Sequence, residues 1–147
     1  RTAMTASNSI TARAADIRDE FAFLDDWEAR FAHLIDLGRA LPPLPDSDLT
    51  DANKVRGCAS QVWLAAAPAA DPPGALAFRG ASDALIVSGL VALILRLSSH
   101  RRPADILAFA APAFFRGIGV SDALTPQRSN GLVSMLGRIR EEASRLA

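Results

Sequence analysis

The sequence is poor in the residue types that bind metal ions. Its 147 residues include one cysteine and two histidines. One cysteine can form neither a disulfide within the chain nor a thiolate cluster, and the chain contains no C-x-x-C or H-E-x-x-H pattern. We therefore expect no metal site, and the functional question centres on Cys58.

Net charge and cofactor-binding motifs are also missing. Sixteen basic and sixteen acidic side chains cancel, so no global field attracts nucleic acid or anionic lipid. The sequence has no P-loop and no dinucleotide-binding glycine pattern. We expect this chain to bind neither nucleic acid nor a cofactor of its own.

No segment is apolar over the roughly 20 residues that a membrane-spanning helix requires. The most apolar stretch, residues 84–95, is interrupted by Ser88 and Gly89. The first residues lack the apolar run of a signal peptide. Together these absences predict a cytoplasmic protein without a membrane anchor.

What is present is the composition of one folded domain. Half of the residues are apolar and 22% are charged, which is typical of a globular protein, and the length fits one hydrophobic core. We expect a single domain over residues 1–147, with residues 1–9 either disordered or artificially added.

Apolar periodicity predicts two helices, then a hairpin, then further helices. Thr125 is expected to cap the last helix, and Ser82 and Asp83 to cap the helix after the hairpin. This order predicts an α+β domain in which helices cover one face of a small antiparallel sheet. The predicted helices are 10–24, 25–38, 84–98, 103–109 and 126–146, and the predicted strands are 61–65 and 75–79.

Cys58 lies in a loop just before the first predicted strand, in the segment N-K-V-R-G-C-A-S-Q-V-W. Gly57 can adopt a positive φ, which lets the loop expose or hide the thiol. Lys54, the only lysine, and Arg56 are close in sequence, and a cation near sulfur favours the thiolate, which is the nucleophile. These features favour a reactive thiol; a buried, inert cysteine is the alternative.

A cysteine hydrolase would require a histidine base, and the candidates are His33 and His100. His33 lies beside the apolar stripe of its predicted helix, and His100 lies in the polar run S-S-H-R-R, so we expect both at the surface. Accepting a sulfane sulfur, in contrast, requires one thiolate and no acid–base pair in the acceptor. A lone loop cysteine is sufficient for that reaction.

Four sequence blocks resemble one known family. The blocks are N-K-V-R-G-C-A-S-Q-V-W-L at 53–64, L-G-x-x-L-P-x-L-P at 37–45, S-D-A-x-I-V-x-G-L at 82–90 and L-T-P-x-R-S-N-G-L at 124–132. In their content and in their order along the chain, these blocks resemble the SufE-type sulfur acceptors, including the related CsdE proteins. The resemblance extends from about residue 16 to the end of the chain.

The resemblance implies an α+β fold shared with IscU-like scaffolds and a role in iron–sulfur cluster assembly. It implies that Cys58 accepts persulfide sulfur from a cysteine desulfurase of the SufS or CsdA type, stimulates that enzyme, and passes the sulfur to a cluster scaffold. The pyridoxal phosphate belongs to the desulfurase. Arg128 is implied as a supporting residue, and Gly57, Gln61 and Asp83 as partner-binding residues.

Two positions bear on this resemblance: Arg128, which agrees with it, and Ser88, which departs from it. Arg128 would lie in the first turn of a helix, where a cation opposes the helix dipole, so an interaction outside the helix is expected to favour it. Position 88 often carries a basic residue in the family but is serine here. A partner contact through Ser88 is therefore not expected.

Two other functions remain open at this stage. One is a thiol-dependent hydrolase or peroxidase that uses Cys58 with His33. The other is an interaction module that activates a desulfurase without carrying sulfur. In either sulfur-related function the chain would act as the partner of an enzyme rather than as an independent enzyme.

Overall fold

The computed structural model describes residues 9–121 and 124–146. The described chain forms an α+β fold, as predicted, with six α-helices, one short 3-10 helix and a two-stranded antiparallel sheet. In chain order the elements are α1 (Ile10–Ala22), α2 (Trp27–Ala40), the 3-10 helix (Asp46–Asp48), β1 (Val62–Ala69), β2 (Ala75–Ser82), α3 (Leu85–Ser98), α4 (Pro103–Ala108), α5 (Ala111–Gly117) and α6 (Pro126–Arg145).

The starts of α1 and α2 follow from local capping. Ser9 precedes α1, and its hydroxyl accepts a hydrogen bond from the Ala12 N–H at 3.1 Å. Asp26 caps α2 in the same way, accepting from the Ala29 N–H at 2.8 Å. Both caps satisfy amide groups that have no partner within their helix. Of residues 1–9, for which disorder or artificial addition was expected, the structure describes only Ser9, the N-cap of α1. Residues 1–8 lie outside the described residues, and the expectation stays a prediction.

The contact between α2 and α3 depends on two glycines. A methyl group on Gly38 would lie 2.5 Å from the carbonyl oxygen of Leu85, and one on Gly89 would lie 2.1 Å from the carbonyl oxygen of Leu34. Both distances are far below van der Waals contact. The two helices therefore approach each other as closely as their backbones allow.

The hairpin is longer than predicted. β1 and β2 pair from Val62 with Ser82 to Ala69 with Ala75, whereas the predicted strands ended at 65 and 79. The extension of β1 is rich in alanine, which has little strand preference of its own. Pairing with the partner strand, rather than local propensity, sets the length.

Helix α3 is the centre of the core, and ten of its residues are buried. Its predicted cap is wrong: the N-cap is Ala84, and no side chain caps the helix. The Asp83 carboxylate instead accepts a hydrogen bond from the Gln61 N–H at 3.0 Å, and the Ser82 hydroxyl donates to the Gln61 carbonyl at 2.8 Å. These side chains join the end of β2 to the segment before β1.

The C-terminal helices close the core. α5 contains the buried Phe114 and Phe115, and no helix was predicted here. α6 begins as predicted, because the Thr125 hydroxyl accepts from the Arg128 N–H at 3.3 Å. The buried stripe of α6 consists of Gly131, Leu132, Met135, Leu136, Ile139 and Ala143. In the described chain, no helix combines the length and apolar character needed to cross a membrane.

Candidate functional site

The Cys58 loop, defined as residues 56–61, is closed at its base by backbone pairing. The Leu64 N–H donates to the Asn53 carbonyl and the Val55 N–H donates to the Val62 carbonyl, both at 2.8 Å. The Val55 side chain is buried. Residues 53–55 therefore run antiparallel to the start of β1, and the chain reverses through the loop that carries Cys58.

Gly57 gives the loop its turn. Its φ is +90°, a backbone conformation that residues with a Cβ rarely adopt. A methyl group at this position would also lie 2.4 Å from the Ser134 hydroxyl oxygen on α6. The backbone angle therefore favours glycine at position 57, and any side chain here would also displace the Ser134 hydroxyl.

The Cys58 thiol points at α6. Its Sγ lies 3.6 Å from the Gly131 carbonyl oxygen, to which the S–H donates a weak hydrogen bond. Gly131 is buried and presents no side chain to the sulfur. The cysteine as a whole is half-buried, so the loop covers the thiol without sealing it in the core.

A small cavity adjoins the sulfur. It has a volume of about 20 Å³, enough for a single atom-sized group such as one water molecule. Three faces of the site supply its walls: the loop, α3 and α6. Besides Cys58, the lining residues are Ala59, Ser60, Val87, Leu90, Gln127, Arg128, Gly131 and Met135.

Burial raises the pKa of the Cys58 thiol, because desolvation penalises the thiolate. This shift is opposite in direction to the one that a cation close to the sulfur, such as Lys54 or Arg56, would produce. Lys54 pairs through its backbone with Trp63, and Arg56 is exposed. In this state Cys58 is a sheltered, protonated thiol.

Arg128 is the basic residue that the structure brings to the sulfur. It lies in the first turn of α6, is half-buried, and lines the cavity beside Cys58. The helix dipole disfavours a cation in the first turn. The cavity beside Cys58, which lies outside the helix, is where an interaction that favours Arg128 is expected. Its supporting role toward the sulfur stays a prediction.

Gln61 and Asp83 form the far end of the loop. Both side chains are exposed, and the Asp83 carboxylate holds the Gln61 N–H. The structure thus places the predicted partner-binding residues Gly57, Gln61 and Asp83 along one exposed loop and its support. Contact with a partner through them stays a prediction.

Arg138 is a structural residue of the site that sequence reasoning missed. From α6 its guanidinium donates to the Ala52 carbonyl at 2.8 Å and to the Lys54 carbonyl at 3.3 Å. It also pairs with Glu142 at 3.2 Å. The spacing of Arg138 and Glu142 on one helix was a visible signal of an ion pair, but nothing local indicated that the arginine also fastens the segment before the Cys58 loop.

Glu142 is held as a carboxylate by two arginines. Burial by itself raises the pKa of Glu142, but the hydrogen bonds and charges of Arg145 and Arg138 outweigh it, so the pKa of Glu142 is lowered. The charged form orients Arg138 toward the loop. Glu142 therefore supports the site from one turn further along α6.

Neither histidine lines the cavity at Cys58. His33 Nε2 lies 3.3 Å from a Glu20 carboxylate oxygen, and its ring packs edge-on against Phe21 with centroids 5.2 Å apart. His100 is exposed in the loop after α3, as predicted. A cysteine–histidine pair is thus not assembled, and the described residues contain no cluster of metal-ligating side chains.

Ser88, the position at which the resemblance implied a basic residue, lies inside the molecule. It is buried, and its hydroxyl donates to the Ser82 carbonyl at 3.2 Å. A basic side chain here would have to leave the contact between α2 and α3. Ser88 accordingly stabilises the hairpin end rather than a partner surface.

Comparison with known proteins agrees with this geometry. The family model for SufE, described as an Fe-S metabolism associated domain, matches residues 15–143. An uncharacterized SufE-like protein of Rhizobium etli is 51% identical over 128 residues, covering 86% of each chain. One of Rhizobium meliloti is 49% identical over 130 residues, covering 86% of this chain and 91% of that protein.

The fold also matches a solved structure. The solution structure of a hypothetical protein from Thermus thermophilus superposes with a TM-score of 0.72 at 21% identity, covering 91% of this chain and 95% of that one. At that identity the likeness concerns the fold alone. With the family match over most of the chain, it follows that this protein belongs to the SufE family, the sulfur acceptors of iron–sulfur metabolism.

Proposed function

We propose that Cys58 takes persulfide sulfur from a pyridoxal-phosphate cysteine desulfurase of the SufS or CsdA type and relays it to an iron–sulfur scaffold. The chain also stimulates that desulfurase. One observation supports this most directly: the lone cysteine lies on a glycine-dependent loop beside a cavity of atomic size. The pyridoxal phosphate stays on the desulfurase, and this chain contributes the thiol.

The transfer step balances without an added oxidant or reductant. The Cys58 thiolate attacks the terminal sulfur of the desulfurase cysteine persulfide. The new Cys58 S–S bond forms as the donor S–S bond breaks, and the donor cysteine leaves as a thiolate. Cys58 then carries the sulfane sulfur, and attack on it by a thiolate of the next acceptor regenerates Cys58.

The cavity suits the product of this step. A persulfide is longer than a thiol by one sulfur atom, and the 20 Å³ beside Sγ accommodates one atom-sized group. The walls from Val87, Leu90 and Met135 are apolar. A persulfide in this position is protected from reductants and from further oxidation, and Arg128 is the adjacent cation for its negative charge.

The attack requires a different position of the loop. In the sheltered state the thiol is protonated and packed on α6, so neither its charge nor its access suits nucleophilic attack. We propose that the loop opens when the protein forms its complex with the desulfurase. Gly57, Gln61 and Asp83 are the residues that contact the partner in this proposal, and the reaction takes place in the cytoplasm.

A mass measurement tests the sulfur transfer. Incubation with the desulfurase of the same cell, pyridoxal phosphate and cysteine is expected to add one sulfur mass to the wild-type chain. The matched control is Cys58→Ser, which keeps the loop and removes the acceptor. An equal mass gain in this variant would contradict the assignment.

The same reaction separates sulfur carriage from activation. Release of sulfide or alanine by the desulfurase is measured with wild type and with Cys58→Ser. We expect stimulation to fall strongly in the variant because sulfur has no acceptor. Full stimulation by Cys58→Ser would instead identify an activator that carries no sulfur.

A hydrolase or peroxidase is the other alternative. It would be supported by turnover that occurs without the desulfurase and is lost when His33 is replaced.

A further inference from the structure

A second cleft lies apart from the Cys58 cavity and shares no lining residue with it. Its volume is about 370 Å³, which is in the range of small-ligand sites. Three arginines from three helices line it: Arg18 on α1, Arg30 on α2 and Arg116 on α5. We call this the arginine cleft.

The arginines of the cleft have few internal partners. Over residues 9–121 and 124–146, none of the three lies within ion-pair distance of a carboxylate. Asp25 is the carboxylate among the lining residues. The lining therefore carries three positive charges and one negative charge, in a protein whose overall charge is zero. This local excess favours an anion.

Two of the guanidinium groups are held in place. The Arg18 guanidinium lies over the Phe114 ring, 5.3 Å from its centroid. Arg30 is packed against Gly119, where a methyl group would lie 3.2 Å from the guanidinium carbon, and Gly119 has a φ of +78°. Because these side chains are fixed before binding, the entropic cost of ordering them around a ligand is smaller.

Arg30 also has an unmet hydrogen bond. Its Nε–H is buried and has no hydrogen-bond partner among the described residues. A buried donor of a charged group is costly to leave unpaired. The Arg30 side chain lines the cleft, and a ligand there would not have to displace an internal hydrogen-bond partner of this nitrogen.

We propose that the arginine cleft binds a small oxyanion of the phosphate class, such as a diphosphate or a phosphate ester. Guanidinium groups carried by three different helices suit a tetrahedral group with oxygens on every side better than a planar carboxylate with two. The volume exceeds that of one phosphate and leaves room for a second phosphate or an ester group. The cleft would bind independently of sulfur transfer at Cys58.

The test uses inorganic pyrophosphate as the probe, titrated at constant ionic strength. Calorimetry measures the affinity, and NMR follows the backbone amides of Gly117 and Gly119. We expect saturable binding with shifts at these amides. Arg116→Gln and Arg30→Gln are each expected to weaken binding about tenfold, because each removes a charge-assisted hydrogen bond.

Arg39→Gln is the matched control, because it removes an exposed arginine of α2 that does not line the cleft; its affinity should equal that of wild type. Thermal melts establish whether each variant folds. If Arg30→Gln does not fold, the test rests on Arg116→Gln, because Arg116 is exposed. The proposal is overturned by an absence of saturable binding, by equal affinity in Arg116→Gln, or by citrate binding as tightly as pyrophosphate.

Discussion

Among the described residues, two of the close contacts at glycine differ in what surrounds them. In the contact of α2 with α3, Gly38 and Gly89 allow two backbones to touch in the centre of the core. In the contact of the Cys58 loop with α6, Gly57 fits against Ser134. The first contact is surrounded by buried apolar residues, whereas the second lies beneath an exposed loop.

The difference lies in what else holds each contact. α3 buries ten residues, so separating it from α2 would expose a large apolar area. The loop is fixed at its ends by backbone bonds and by Arg138 and Asp83, but its tip has the weak Cys58 to Gly131 bond. A close approach at glycine therefore occurs in a strongly held contact in the core and in a weakly held contact at the loop.

The largest expected effect is that of Gly89→Ala. The added methyl group would lie 2.1 Å from the Leu34 carbonyl oxygen, and neither backbone can yield without moving a core helix. We expect a loss of about 3 kcal/mol or more in the free energy of unfolding, measured by urea denaturation. The control is Gly137→Ala on α6, where nothing lies within 4 Å; it should stabilise by about 0.5–1 kcal/mol. Similar stability of the two variants would contradict the close packing of α2 against α3 at Gly89.

Gly57→Ala should act mainly on the loop. Alanine at a φ of +90° is strained and its methyl group meets Ser134, so we expect a stability loss of about 1–2 kcal/mol. The clearer effect is kinetic, because the strain is relieved when the loop leaves α6. Alkylation of Cys58 by iodoacetamide should be several-fold faster than in wild type.

Gly57→Ala combined with Ser134→Ala separates the two causes. Removing the Ser134 hydroxyl relieves the clash and leaves the φ strain, so the double variant should fall between wild type and Gly57→Ala in alkylation rate. Wild-type alkylation of Gly57→Ala would show that the loop does not depend on its glycine.

A smaller effect is expected at the fastening of the loop base. Arg138→Gln removes the donors to the Ala52 and Lys54 carbonyls. We expect a loss of about 1 kcal/mol in the free energy of unfolding and faster alkylation of Cys58. Arg145→Gln is the control, because Arg145 also pairs with Glu142 but is exposed and does not reach the loop. Equal alkylation rates in the two variants would show that Arg138 does not hold the Cys58 loop in place.

How much of this followed from the sequence depends on the range of each interaction. Thr125 was recognisable as the start of the last helix, since a cap acts within three residues. Asp83 looks the same in sequence but bonds to Gln61 across the hairpin, so its predicted cap was wrong. A tertiary partner displaced the local one.

The site shows the same division. The loop, its cysteine and Gly57 are contiguous in sequence and were predicted from local chemistry, and the resemblance added Arg128. Ser134 and Arg138 were missed because each touches the loop from a distant helix. Their importance arises from the approach of α6 to the loop, which no local pattern encodes.

The smallest expected effect is the contribution of the Cys58 thiol to the pH dependence of stability, which tests the contact of the loop with α6. Burial raises the pKa of the Cys58 thiol above its ordinary value, so between the two values the folded protein keeps a proton that the unfolded chain has lost. The stabilising contribution is complete below the unfolded pKa and is lost as pH rises through the folded one. Stability of wild type should therefore fall more steeply above about pH 8.5 than that of Cys58→Ala. The comparison of slopes cancels the other titrating groups, which the two proteins share. Parallel slopes would mean that the thiol is solvated in the folded state, and that the loop is already detached before any partner binds.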